Sequence, residues 1–192
     1  MVDLISLPPS ELGVAVSKSA LDRQTISLLD PTPIVDYVAD CHGIEPHTFE
    51  HLVFVQSSTK NIRAAARPLE LPESPDIDRA GIEFLRIDMA TPRLTTAAAM
   101  TWADAARRNV IDLDRQQCLR YLRRIDLKLD ARDISTCSGR GFVLIRHLHC
   151  GLGVGFLEST RRDDDNFAHL RSLYPTAFSA EVDDISPFGN PC

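Results

Sequence analysis

Apolar and polar residues follow helical spacing in some segments of the chain and strand spacing in others, which predicts a mixed α+β fold. Residues 30–44 carry apolar side chains at helical intervals, and Thr32 is the expected N-cap. The apolar run 52–55 and the alternating segment 80–89 are typical of strands, and 60–71 indicates another strand or an irregular edge. The first ninety residues therefore predict a small α/β unit.

Two helices are predicted at the start of the later half. Alanine, the strongest helix former, dominates TTAAAMTWADAARRNV, and Thr95 or Thr96 can cap that helix. Asp114 is followed three residues later by Gln117, which is the spacing of a capping box. Each helix therefore carries a start signal in its own sequence.

A glycine-bearing hairpin is predicted after these helices. Residues 125–129 alternate as a strand does, and 142–146 and 152–157 form two further strands joined by a turn at 147–151. Gly153 lies inside the second of these strands. Glycine weakens a strand unless the strand must bulge or another backbone must approach it closely. The hairpin is therefore expected to carry one of these two features.

Charge divides the chain into an acidic and a more basic part. Residues 1–90 contain 7 Lys/Arg and 14 Asp/Glu, whereas 93–146 contain 11 and 6. Such a step favours two domains, with a basic surface confined to the second. The expected segments are a loosely ordered lead-in at 1–20, an acidic α/β domain at 21–90, a second domain at 91–180 and a tail at 181–192.

Composition limits the class of protein and its compartment. Apolar residues make up 44% and charged residues 25%, which is normal for a soluble globular chain, and the net charge of −6 gives no global attraction to polyanions. No apolar run reaches the roughly 18 residues that a membrane span requires. The five cysteines form no C-x-x-C pair and are typical of free thiols in the cytoplasm.

The stretch CHGIEPHTFEH raises the question of a zinc site. His47, Glu50 and His51 spell H-x-x-E-H, which binds zinc when both histidines share one helical face. Gly43 should end the preceding helix and a strand follows, so we favour surface histidines around a turn over a zinc hydrolase or a structural metal. No nucleophile elbow and no P-loop is present in the sequence. We therefore expect a non-enzymatic protein without a cofactor or metal.

Three segments of the later half resemble a known RNA-binding module. They are PRLTTAAAMTWADAARRNVIDLDRQQCLRYLRRIDL, GFVLIRHLHCGLGVGFLES and LRSLYPTAF. They are similar to the PUA-like domain at the C-terminus of Sun/RsmF-type rRNA cytosine-C5 methyltransferases. The matching residues are Thr95, Thr96, Ala106, Arg108, Asn109, Val110, Leu113, Gly141, Val143, Ile145, Gly151, Gly153, Gly155, Leu170, Arg171, Tyr174 and Pro175.

This resemblance implies a fold and a partner. It implies a small α/β pre-PUA domain followed by a PUA-like pseudo-β-barrel with flanking helices, as in pre-PUA/PUA ribosome-biogenesis factors. The partner would be structured RNA, either rRNA or tRNA, together with an RNA-modifying enzyme or a ribosome-assembly protein. The expected RNA contacts are Arg93, Thr95, Thr96, Arg107, Arg108, Arg140, Arg146, Gly151, Gly153 and Arg171. Trp102 and Tyr121 are either base-stacking residues or core residues.

Departures from the family pattern leave an alternative open. Arg93-Leu94-Thr95 stands where the family has Lys-Pro-Thr, Ser172 replaces a lysine, and an acidic segment, 161–165, interrupts the path to the closing motif. These changes remove two positive charges from the expected RNA face. The alternative is a protein-interaction adaptor or regulator on a PUA-like scaffold that has lost RNA binding.

Overall fold

A computed structural model describes residues 27–56, 58–69, 79–158 and 167–182. The predicted lead-in, the acidic segment 161–165 and most of the predicted tail lie outside these ranges. The described residues form helices and two five-stranded sheets, so the mixed α+β class is confirmed. Two compact units meet between Ala98 and Ala99. In the described part of the chain, no helix is long and apolar enough to cross a membrane.

The first unit is an antiparallel sheet with one α-helix. Its strands neighbour one another in chain order, β1-β2-β3-β4-β5. The elements are β1 (Ser27–Leu29), α1 (Pro31–His42), a 3-10 turn (Pro46–Phe49), β2 (Leu52–Gln56), β3 (Asn61–Ala66), β4 (Ile82–Arg86) and β5 (Arg93–Leu94). Strand β5 pairs with β4, so residues 93–94 belong to this sheet, on the N-terminal side of the division between the units and beyond the border predicted between 90 and 91.

The N-cap of helix α1 lies two residues earlier than predicted. The Asp30 carboxylate accepts a hydrogen bond from the Thr32 backbone N–H at 2.9 Å, so Asp30 is the N-cap and the prediction of Thr32 was wrong. Gly43 ends the helix at φ 63°, and its N–H donates to the Ala39 carbonyl. The helix packs its apolar face into a core in which the ring of Phe84 contacts two other phenylalanines.

The second unit is a curled sheet with the strand order β6-β8-β9-β10-β7. The elements are α2 (Thr96–Trp102), which crosses the border between the units, a 3-10 turn (Ala103–Ala105), β6 (Val110–Asp112), α3 (Arg115–Leu122), β7 (Leu127–Leu129), β8 (Gly141–His147), β9 (Cys150–Glu158), β10 (Ala168–Ser172) and α4 (Thr176–Val182). Strands β6 and β8 are parallel, and the other pairs are antiparallel. The loop 130–138 follows edge strand β7 and precedes β8, and on its way it contacts the start of edge strand β6, where the Thr136 carbonyl accepts the Asn109 N–H.

Helix α3 and the 3-10 turn after α2 both pack on this sheet. Helix α3 covers the inner face through Cys118 and Tyr121, and the capping box of Asp114 and Gln117 holds its start as predicted. The 3-10 turn after α2 packs on β8 and β9. The inner core contains Ile111, Tyr121, Leu127, Leu129, Val143, Ile145, Leu157 and Leu170.

The β8–β9 hairpin contains a tight turn and a bulge. Leu148 and His149 have φ of 48° and 67° between the paired residues His147 and Cys150, which corresponds to a two-residue type I′ turn. The turn is therefore shorter than the predicted 147–151. Ile145 pairs with Gly153 but Arg146 pairs with Gly151, so the residue between these two glycines is an extra residue in β9. The predicted bulge is thus present.

Candidate nucleic-acid interface

Two phenylalanines and an arginine lie side by side on the outer face of the second sheet. Phe142 on β8 pairs with Phe156 on β9, and Phe156 pairs with Arg171 on β10. Residues directly opposite each other on neighbouring strands point to the same face. The two rings are 5.2 Å apart between centroids, in an edge-to-face arrangement. Both rings are half-buried, so part of each faces solvent.

Two guanidinium groups converge on one of these rings. The central guanidinium carbon of Arg140 is 5.6 Å from the centroid of Phe156, and that of Arg171 is 5.3 Å away. Both distances lie within the range of a cation–π contact. We call Phe142, Phe156, Arg140 and Arg171 the aromatic–arginine patch. It combines apolar ring surface with positive charge on a rigid sheet.

The strand ends beside this patch add charges of both signs. His169 on β10 lies between Lys128 on β7 and Glu158 on β9, and it points to the same face as Arg171 because it is two residues away. Lys128 and Glu158 are both exposed. The described residues on this part of the sheet therefore present Arg140, Arg171 and Lys128 beside Glu158, and Asp114 and Asp126 line the same pocket as Lys128 and His169.

Arg146, a predicted RNA contact, has a structural role instead. Its Nε and Nη2 donate to the two carboxylate oxygens of Asp112 at 2.5 and 2.9 Å. Its Nη1 donates to three carbonyl oxygens around the 3-10 turn, at 3.1 to 3.3 Å. The Arg146 guanidinium holds the pKa of Asp112 below its usual range, although partial burial of the carboxyl opposes this. The prediction of a phosphate-binding role is corrected, because carboxylate and carbonyl oxygens already surround this charge.

The glycines of β9 also serve the fold. A Cβ on Gly151 would lie 2.3 Å from the Ala99 carbonyl oxygen, so glycine is needed here for the close approach of the α2 backbone. Gly153 is buried, has φ 147° and follows the extra residue of the bulge. The predicted close approach of RNA at Gly151 is therefore corrected, because the end of α2 occupies that space.

The remaining predicted contacts lie on several elements of the two units. Thr95 donates its hydroxyl to the Glu83 carbonyl at 2.5 Å and accepts the Ala98 N–H at 3.2 Å, so it caps α2. Thr96 is the first residue of α2, and Arg93 lies half-buried on β5 in the first unit. The other two are the exposed Arg107 and Arg108, in the loop before β6. Of the predicted arginines, the structure brings together Arg140 and Arg171.

The aromatic residues singled out from the sequence are core residues. Trp102 is 9% exposed, and Tyr121 is fully buried with its hydroxyl donating to the Val154 carbonyl at 3.0 Å. The core alternative therefore holds for both. Phe142 and Phe156 were not singled out as site residues. The alternation of each strand offered a signal for them, but only the register of the hairpin shows that their rings meet.

The H-x-x-E-H stretch lacks the helical geometry of a zinc-hydrolase site. His47 lies in the 3-10 turn with its Nδ1 3.2 Å from the Glu45 carboxylate, and His51 lies just before β2. His42 is buried at the end of α1. Among the described residues, no three His, Cys, Asp or Glu side chains are grouped as metal ligands.

The functional proposal for this chain rests on the geometry of its second unit. No protein-family model matches the chain, and no curated protein does so.

Proposed function

We propose that this protein binds structured RNA, either rRNA or tRNA, through the aromatic–arginine patch of its second unit. It would act without catalysis, as an accessory factor in ribosome assembly or RNA modification in the cytoplasm, with a PUA-like second domain. The observation that carries this proposal is the convergence of Arg140 and Arg171 on Phe156.

The chemistry of the patch suits a polynucleotide. A guanidinium group is planar and can donate two parallel hydrogen bonds to a phosphate, and it keeps its charge at every physiological pH. The guanidinium groups of Arg140 and Arg171 both lie over the ring of Phe156. Neither makes a salt bridge among those found in the described residues. Aromatic rings beside these donors offer apolar surface to sugars and bases.

The structure also supplies an observation that favours the adaptor alternative. Arg146, one of the arginines expected to contact RNA, is held by Asp112. A PUA-like scaffold with fewer available cations would suit a protein-interaction adaptor or regulator. This alternative predicts that purified protein has no measurable affinity for RNA.

A salt-dependent mobility-shift assay with tRNA and rRNA fragments separates the two functions. We expect the wild-type protein to bind, and the double variant R140A/R171A to bind at least about tenfold more weakly, because each lost contact is a charge-assisted hydrogen bond. Arg115→Ala is the control for each single variant, R140A and R171A, since it removes one exposed arginine from α3 on the inner side of the sheet.

Two outcomes would contradict the proposal. An absence of wild-type binding at low salt to every RNA tested would favour the adaptor. A loss in R115A as large as that in R140A or in R171A alone would show that binding depends on overall charge and not on the patch.

A further inference from the structure

We infer that the RNA element recognised by the patch is an unpaired segment whose base stacks on one of the two rings, Phe142 or Phe156, while Arg140 and Arg171 hold its backbone. This inference rests on the proposed function and specifies its ligand. The observations behind it are the position of the two rings, their fixed geometry and the arginines beside them.

The two rings have the features of a stacking platform. They belong to neighbouring strands inside the sheet, with pairing on both sides of each strand. The sheet therefore holds the rings in place before any ligand binds, which reduces the entropy lost on binding. Their edge-to-face contact at 5.2 Å places them at a large angle to each other, so a base that stacks on one ring can touch the edge of the other.

The combination of rings and arginines favours unpaired over paired RNA. In a double helix the flat faces of the bases lie inside the stack, and only phosphates and groove edges reach a protein. A duplex could therefore contact Arg140 and Arg171 but could not use the rings. An unpaired nucleotide presents its base face and its phosphate together, as the patch does with Phe156 and the two guanidinium groups.

A purely structural role for the rings makes a different prediction. If Phe142 and Phe156 only cover the sheet, leucine will replace either ring with little effect on RNA binding, since leucine is also apolar and close in size. If bases stack on the rings, leucine removes the aromatic face and affinity falls. Tryptophan in place of phenylalanine, which offers a larger aromatic face, should then leave the affinity for RNA intact.

The test compares two RNAs and a small set of variants. One RNA is a hairpin whose unpaired loop contains the fluorescent base 2-aminopurine, and the other is a blunt duplex of the same length. We expect the hairpin to bind at least about tenfold more tightly, with quenching of the fluorophore on binding. Phe142→Leu and Phe156→Leu should weaken hairpin binding about 5- to 100-fold, the range for loss of one stacked base, and change duplex binding less than about twofold.

Matched variants separate stacking from general damage. Phe178→Leu replaces an exposed phenylalanine on α4, in contact with Tyr174 of the inner core, and should bind the hairpin as the wild type does. Phe142→Trp should keep both binding and quenching, and it tests stacking even where a leucine variant fails to fold.

The outcomes distinguish this inference from the proposed function. Equal affinity for hairpin and duplex, with both leucine variants and the tryptophan variant unchanged, would overturn the stacking inference and leave RNA binding standing. An absence of binding to either RNA would overturn the proposed function itself.

Discussion

Arg146 lies at the point where three parts of the second unit meet. Its guanidinium contacts Asp112 on β6 and the carbonyl oxygens of Ala103, Asp104 and Ala106. Carbonyl groups at the end of a helix have no partner within that helix, and a cation placed there stabilises them. The side chain thus joins the end of the α2 region to the sheet.

The ion pair of Asp112 with Arg146 predicts a pH-dependent contribution to stability. The folded-state pKa of Asp112 lies below its ordinary value of 3.8, so the contribution is present above that value and is lost as pH falls through the folded pKa. We expect the difference in unfolding free energy between the wild type and Asp112→Asn to be constant at neutral pH and to shrink below pH 3.8.

Urea denaturation at a series of pH values measures this difference. The Asp112 side chain is 61% exposed, so the effect should be modest and should weaken further in salt. In protein that already carries Arg146→Gln, adding Asp112→Asn should produce no such pH-dependent difference, because the ion pair needs both partners. A constant gap between the wild type and Asp112→Asn across the acid range would contradict the ion-pair explanation.

Gly151 allows a second prediction at the residue scale. A methyl group at this position would meet the Ala99 carbonyl oxygen at 2.3 Å, and that atom is backbone, which cannot rotate away. We expect Gly151→Ala to lower the free energy of unfolding by about 1–3 kcal/mol, as overpacking does. Gly141→Ala is the control, because a methyl group there has no atom within 4 Å and the change should stay within about 0.5 kcal/mol. Equal melting temperatures for both variants would refute this account.

Among the elements, the β8–β9 hairpin combines a strong fold signal with an unusual turn. Type I′ turns need positive φ at both central residues and favour Asn-Gly, yet this turn contains Leu148 and His149. Leu148 is 78% exposed, so no packing compensates for its backbone conformation. The turn is therefore less stable than a turn of the same conformation with Asn-Gly at these two positions.

Asparagine at the first turn position should stabilise the hairpin. Asparagine adopts the left-handed region more readily than leucine, so Leu148→Asn should raise the unfolding free energy by about 0.5–1 kcal/mol. Leu28→Asn is the control, since Leu28 is 70% exposed but lies in strand β1, where asparagine is disfavoured. Thermal unfolding of both variants measures the effect, and a lower melting temperature for Leu148→Asn would contradict the prediction.

Elements with local signals could be predicted from the sequence, and elements that depend on distant partners could not. Helix α3 was predicted from the capping box at Asp114, and the glycine-bearing hairpin from its apolar strands. Strand β6 was missed, because it has three residues and is held by parallel pairing with β8 more than thirty positions later. Its apolar residues carry no signal of that partner.

The candidate site could be predicted only in part, for a related reason. Arg140 and Arg171 were predicted as RNA contacts because the resemblance to a PUA-like module implies an RNA groove in this half of the chain, and arginine can donate two hydrogen bonds to a phosphate. Arg146 was predicted on the same ground, but its carboxylate partner on β6 depends on the missed strand. Phe142 and Phe156 depend on register, which a bulge changes by one residue.

For the whole molecule, charge decides how RNA binding should depend on salt. The net charge of −6 repels a polyanion overall, so attraction must come from a local cluster such as the patch. If Arg140 and Arg171 are the two phosphate contacts, affinity for single-stranded RNA should fall only about sevenfold between about 50 and 200 mM salt. Removal of either arginine should reduce the slope of log affinity against log salt by about 0.7.

Fluorescence anisotropy titrations across that salt range measure the slope. A value several times steeper would show that more cations than this pair contact the RNA, with Arg107 and Arg108 as the next residues to test. A slope of zero would rule out phosphate contacts by the pair.

The extra residue in β9, Leu152, has a further consequence. Because Leu152 is left out of the ladder, it determines which residues of β8 and β9 lie opposite each other beyond the bulge. If Leu152 were paired in the ladder instead of forming the bulge, Phe142 would face Gly155, and Phe156 would turn towards the core side of the sheet. A hairpin of the same composition that paired every residue, with no bulge, would lose the neighbouring rings, whereas deletion of Leu152 would keep Phe142 opposite Phe156.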